Sequence, residues 1–288
     1  MTYSPLAEAE RLFDYGIQRE PIDPYGYVGK VSILRQKIEK EQDHGRKAGL
    51  EGSALSFLEE AYELTHGDAI IAAQLGIQRS RLGAPESAIA ILTTALKERP
   101  PESRIRDILV KLFIEREQYD RALEIASEGV LLDPTSWRLQ RHVARLSRRL
   151  RHPIQAVKGH YEAAVRHRRG DVSLMVELGT FLFINSMYSE AEKIFSEARN
   201  LPVSGYEKRF VREWWRNEQG ERIQFSGRVK DIRGASARVL ILSHNFKAFF
   251  WRTRDNLIKL TERDEVACYV GFNAYGALGE IVYAQPKN

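Results

Sequence analysis

The sequence predicts a mainly α protein with an all-β end: an α-solenoid of paired helices over residues 30–203, then a five-stranded β-barrel over residues 220–288. Three observations carry this expectation. Small residues recur in phase, 34 or 35 positions apart, through the middle of the chain. Beyond Gly220 the apolar pattern changes to short alternating runs of β-branched and aromatic residues, the period of strands. Charge divides at the same place. Residues 1–203 hold 29 Lys+Arg and 29 Asp+Glu and residues 204–288 hold 15 and 10, so the net charge of +5 sits wholly on the C-terminal part. A chain of 288 residues, 43% hydrophobic and 29% charged, has the length and composition of two ordinary globular domains.

Residues 1–29 stand apart. Ser4-Pro5 starts a helix expected to run through Phe13, since proline fits a first helical turn. Pro21, Pro24, Gly26 and Gly29 then break the chain. In Gly26-Tyr27-Val28-Gly29-Lys30 two residues separate the glycines where a phosphate loop needs four, so the segment reads as a turn.

The repeats come next. Gly76, Val110, Ala144 and Gly179 form one register, Ala88, Ala122, Ala156 and Ala191 a second, and Ala95, Gly129, Ala163 and Ala198 a third. Small side chains are needed where one helix crosses its neighbour closely. Pro100 and Pro134 close two of the units, because proline cannot continue a helical ladder. Ala54, Leu58 and Ala61 mark an earlier unit. These residues resemble the tetratricopeptide repeat (TPR) family over about five units. The first unit's opening helix matches poorly, and the fourth and fifth units lack the closing proline. The resemblance implies a stack of helix pairs with a concave groove that binds a partner.

Residues 204–219 are expected to form a capping helix, with Trp214 and Trp215 sealing the solenoid end. Strands follow near 222–232, 236–243, 246–252, 265–272 and 278–284, a set suited to a small OB-type barrel. Gly227-Arg228-Val229-Lys230, Ala248-Phe249-Phe250-Trp251 and Gly279-Glu280-Ile281-Val282 resemble the strands of cold-shock domains in order and spacing. That resemblance implies stacking of single-stranded nucleic acid on aromatic side chains. Phe249 and Trp251 keep such positions, Asp231 takes the place of a first-strand aromatic, and the second strand has none. The order of the two parts also resembles the C-terminal ends of STAND-type signalling ATPases, some of them antiviral, which would make this chain a sensor portion of a larger protein.

One helix carries the main candidate site. In Trp137–Leu150, Leu139, Val143, Leu146 and Leu150 form a core stripe, and Arg138, Arg141, Arg145, Arg148 and Arg149 occupy the roughly opposite face, without an acid among them. The TPR resemblance places these arginines toward the groove. Five like charges on one helix repel, and guanidinium groups capture carboxylate or phosphate bidentately. The matching positions of the next unit, among them Val176, Phe183 and Ile184, are largely apolar and are expected to wall the groove. A peptide with acidic and hydrophobic groups would suit such a surface.

Other chemistry is thin. The single cysteine, Cys268, rules out an internal disulfide and a multi-cysteine zinc site, suits the cytoplasm and reads as a buried structural thiol. His142, His152, His160 and His167 cluster in sequence but read as packed or surface histidines. No catalytic constellation, metal site or cofactor motif is present, and no run reaches the roughly 18 apolar residues of a membrane span. Two functions follow as expectations. One is a non-enzymatic interaction and sensing module that binds an acidic protein or peptide in the groove. The other is a single-stranded nucleic-acid binder that uses the barrel and the basic groove.

Overall fold

The computed structural model describes residues 5–217, 219–233, 236–251 and 260–284; at Trp251, Tyr283 and Ala284 it describes the backbone alone. The chain divides into two compact units, Met1–Leu146 and Ser147–Asn288.

The first unit begins with α1 (Pro5–Arg19) and α2 (Pro24–Lys40). The expected break at Gly26 and Gly29 does not occur, and both lie inside α2. Asp23 caps that helix, its carboxylate accepting from the Tyr25 amide at 3.1 Å, and Pro24 occupies the first turn, where it lacks only an N–H that would be orphaned anyway. Gly29 serves the crossing with α1 instead: a Cβ there would run into the Phe13 ring. α3 (His44–Leu64) follows, then the pairs α4 (Ala69–Arg81) with α5 (Pro85–Glu98) and α6 (Ser103–Glu115) with α7 (Tyr119–Leu132). α8 (Trp137–Arg149) begins in this unit and ends in the next. The core of the first unit packs Ala88, Leu92 and Ala95 of α5 and Ala122 and Ala126 of α7 with Leu109 and Phe113 of α6.

Each helix pair of the array turns on one residue of positive φ: Gly83, Glu117, Arg151 and Ser186, spaced like the repeat itself. The second helix of each pair buries three positions: Ala88, Leu92 and Ala95; Ala122, Ala126 and Gly129; Val157, Tyr161 and Ala164; Ala191, Phe195 and Ala198. The third of these triplets differs from the sequence register. Ala156 is exposed and Ala163 only half-buried, and their neighbours Val157 and Ala164 take the core positions. The cause is one extra residue between the turn and α9 (Ile154–His167), where Pro153 sits at the N-cap and delays the helix.

In the second unit, α9 packs on α10 (Val172–Ile184), which pairs with α11 (Tyr188–Asn200). α10 is buried on nearly every side. At Gly179 a Cβ would stand 2.6 Å from the Phe195 ring of α11, so only glycine permits this approach. The expected capping helix is cut to α12 (Gly205–Phe210), and β1 (Glu213–Trp214) replaces the rest. The reason is an available edge: Glu213 and Trp214 pair with Phe272 and Gly271 of β5 (Glu265–Asn273). Trp215 turns into an aromatic cluster with Phe225, His244, Phe246 and Phe272.

The remaining strands are β2 (Gln224–Arg233), β3 (Ser236–Ile241), β4 (Phe246–Trp251), β5 (Glu265–Asn273) and β6 (Gly276–Ala284), close to the expected runs. The ladder runs β5-β2-β3-β4-β6 and closes between β6 and β5. All these pairs are antiparallel except β4 with β6, which run parallel. Alternation fills the interior: Phe225, Gly227 and Val229 of β2 point in, as do Ala237, Val239 and Ile241 of β3. Register shifts at Val229/Asp231 and Ala267/Cys268 bend the strands around the closed sheet. Cys268 lies fully buried in this core, and burial pushes its thiol pKa up to about 12, so it stays protonated and unreactive at neutral pH.

Candidate functional site

The five arginines of α8 do not share one environment. Three residues of the expected core stripe, Leu139, Val143 and Leu146, are buried, while the fourth, Leu150, lies just past the end of α8 and is half-buried. Gln140, His142, Ala144 and Ser147 are buried as well, so the polar face is narrower than the sequence pattern implies. Arg138 is exposed, its guanidinium 4.5 Å from the centre of the Trp137 ring. Arg141 is half-buried and Arg145 exposed, and both, like Arg149, already have interaction partners.

Between Arg138 and Arg145 the helix aims His142 at a carboxylate of α6. His142 Nε2 lies 2.8 Å from Asp107 Oδ1, and Lys111 Nζ donates to Asp107 Oδ2 at 2.7 Å. Burial alone would push the Asp107 carboxyl up, but the hydrogen bonds from His142 and Lys111 outweigh it and hold the pKa below its ordinary value. The acid that α8 lacks is therefore supplied from a neighbouring helix, which a single-helix reading cannot see.

In the second unit Arg148 enters a real cleft. It lines a cavity of about 430 Å³ together with Arg151, His152, Arg216, Asn185 and Ile184. Each wall has a local cause. Arg151 is the positive-φ turn residue after α8, with φ 60°, so its side chain leaves the helix axis. Asn185 caps the C-terminus of α10 and donates its side-chain amide to the Phe181 carbonyl at 2.8 Å. Arg216 is tied by its guanidinium to the Gly220 carbonyl. Phe181 and Ile184 supply apolar surface, and among the described residues no carboxylate lines the cavity. Three guanidinium groups and an imidazole beside apolar carbon suit an anionic group with a hydrophobic neighbour.

The expected groove walls separate in the same way. Ile184 lines this cleft. Val176 is buried, 1% exposed, and offers no wall to a ligand. Phe183 is half-buried: its ring lies 5.0 Å from each of Tyr188, Phe246 and Phe272, which packs α10 against the barrel, and it also lines a cleft of about 670 Å³.

On the barrel, Phe249 is 36% exposed on β4. Its antiparallel partner is Arg238 of β3, whose partner in turn is Asp231 of β2, so the three form one row across the outer face. Phe249, Arg238, Lys247, Tyr188 and Tyr275 line a cleft of about 670 Å³. Phe249 and Tyr275 also border a second cleft, of about 630 Å³, with Phe210, Arg209 and Arg212. The backbone of Trp251 ends β4, and its side chain lies outside the described residues. Phe210, Tyr188 and Tyr275 come from α12, α11 and the β5–β6 turn, and no sequence spacing links them.

Among the described residues no group of three or more His, Cys, Asp or Glu is placed to hold a metal ion, and no helix is long and apolar enough to cross a membrane.

No family profile matches the chain, and no curated protein does. Solved structures do. MamA from Desulfovibrio magneticus RS-1 is similar at 18% identity, over 59% of this chain and 94% of MamA, with a TM-score of 0.44. A human IFIT1 dimer with m7Gppp-AAAA is similar at 16% identity, over 68% of this chain and 46% of IFIT1, with a TM-score of 0.48. A monomeric IFIT1 mutant with Gppp-AAAA is similar at 15% identity, over 69% and 47%, with a TM-score of 0.50. The chain spans about half the length of IFIT1. The likeness is one of fold.

Proposed function

We propose that this chain is a non-enzymatic binding module whose helical part takes an acidic segment of a partner protein, anchored in the cleft of Arg148, Arg151, His152 and Arg216. The observation that carries the reading is that cleft: cationic side chains from two separate chain segments, 148–152 and Arg216, converge beside Phe181 and Ile184, with no carboxylate among the described lining residues. Arg138, Arg141, Arg145 and Arg149 are read as further contacts along the same helix. A carboxylate in the cleft and an apolar side chain against Ile184 would use both kinds of surface. The reading of the chain as the sensor portion of a larger signalling protein rests on the order of its two parts alone.

A second reading has its own observation. Exposed aromatics at Phe249, Tyr275 and Phe210 alternate with Arg209, Arg212 and Lys247 around two adjoining clefts. The ladder β5-β2-β3-β4-β6, with β4 and β6 parallel, supports an OB-type assignment of the barrel. Aromatic platforms between cations bind single strands by stacking.

One experiment separates the two. Fluorescence anisotropy measures an Asp/Glu- and Leu-containing peptide and a labelled single-stranded oligonucleotide against the whole chain. The first reading expects peptide binding that Arg148→Glu with Arg216→Glu weakens roughly 10-fold or more, about 1.4 kcal/mol, while Phe249→Ala leaves it unchanged. Oligonucleotide binding that falls steeply with salt and is lost in Phe249→Ala, with no peptide binding, replaces it by the second.

A further inference from the structure

The first unit holds a cationic group that the α8 arginines do not involve. Arg35 of α2 reaches α4, where its Nη1 donates to Gln74 Oε1 at 2.6 Å. Gln74 is itself buried, so this bond fixes the plane of the guanidinium. The other two nitrogens, Nε and Nη2, are buried and have no hydrogen-bond partner among the described residues. Together they form one edge of the guanidinium fork, two parallel donors at the spacing of two oxygens on one centre. Buried donors are paired as a rule, and an unpaired pair on a single edge calls for an occupant.

The surroundings say which kind. The charged groups acting on Arg35 are Arg81 at the end of α4 and Arg104 in the first turn of α6, both positive. After burial itself, these like charges hold the Arg35 guanidinium below its ordinary pKa. α4 lies against both α2 and α6, so three guanidinium groups come from three neighbouring helices. An uncharged ligand would leave their repulsion in place, and a group with two negative charges relieves it most.

We propose that the Nε–Nη2 edge of Arg35, flanked by Arg81 and Arg104, is a receptor for a phosphate group. Two phosphate oxygens accept from Arg35, and the exposed guanidinium groups of Arg81 and Arg104 close on the others. Because both Arg35 nitrogens are shielded in the free chain, binding requires the side chains over them to swing aside. Lysine offers a single point donor and cannot present this edge. The site is independent of the cleft around Arg148, which belongs to the other unit.

The test is calorimetric titration of the whole chain with inorganic phosphate at constant ionic strength, with acetate as the monoanion control. Saturable phosphate binding is expected, weakened at least ~10-fold by Arg35→Lys and by Arg81→Gln with Arg104→Gln, and unchanged by Arg148→Glu. The double variant changes only exposed side chains, so it stands as the test should Arg35→Lys fail to fold. Absence of phosphate binding, equal binding by folded Arg35→Lys or by the double variant, or acetate bound as tightly as phosphate overturns the proposal. O-phosphoserine titrated in parallel tells a phosphate ester from the free ion, and phosphate binding with or without it supports the site.

Discussion

His142 of α8 and Asp107 of α6 meet at 2.8 Å inside the first unit, and Lys111 holds the second oxygen of the same carboxylate. The Asp107 pKa lies below its ordinary value in the folded chain, so the ionised carboxylate contributes stability at pH above its unfolded pKa, about 4. That contribution is lost as pH falls through the lower, folded value. Asp107→Asn removes the charge and leaves one acceptor oxygen for two donors, with an amide NH2 set against the other. Urea unfolding at pH 7 is expected to show a loss of roughly 1–3 kcal/mol. The difference between wild type and variant should shrink as the pH is taken well below 4. A variant as stable as the wild type at pH 7 would show that the pair contributes nothing.

The shifted register of α9 makes a sharp contrast. Ala156 is exposed, whereas Ala164 is fully buried. Ala164→Leu is expected to overpack the helix crossing and cost about 1–3 kcal/mol, with Ala156→Leu near neutral. In α7 the order is the unshifted one: Ala122→Leu is costly and Glu124→Leu is not. Melting temperatures of the four variants decide it. A costly Ala156→Leu would restore the uniform spacing and refute the one-residue delay.

Phe183 distinguishes packing from ligand contact. With three aromatic rings at 5.0 Å, its truncation removes the ring contacts of α10 with Phe246 of β4 and Phe272 of β5. Phe183→Ala is expected to lower stability by up to about 3 kcal/mol, the lower end for a fully buried phenylalanine, because this ring is only half-buried. Chemical denaturation of the whole chain measures it. Unchanged stability with weakened peptide binding would return Phe183 to the groove wall.

Much of this was legible along the chain. The 34-residue phase of Ala88, Ala122 and Ala191 is a local consequence of helix pairs of constant length, so it survives as spacing. The strands were legible for the same reason: alternation in Phe225, Gly227 and Val229 reports which side of a sheet each residue takes. What spacing cannot report is where one extra residue falls. The delay at Pro153 moved Val157 and Ala164 into the core, although Ala156 and Ala163 kept the better small-residue phase.

Site chemistry depended more heavily on the tertiary fold. The sequence determined that α8 carries five arginines on the side away from its leucine stripe, because helical periodicity alone requires it. Only the tertiary structure decided what each one meets. Arg148 joins Arg151 and Arg216 from beyond the helix, while His142 finds its acid on α6. Arg35 was invisible, because an isolated arginine on α2 becomes a candidate receptor only when Gln74 of α4 takes one of its nitrogens and leaves the other two facing no partner among the described residues. Helices and strands are dictated by neighbours a few positions away, whereas a binding site is dictated by which distant side chains the packing brings within hydrogen-bond reach.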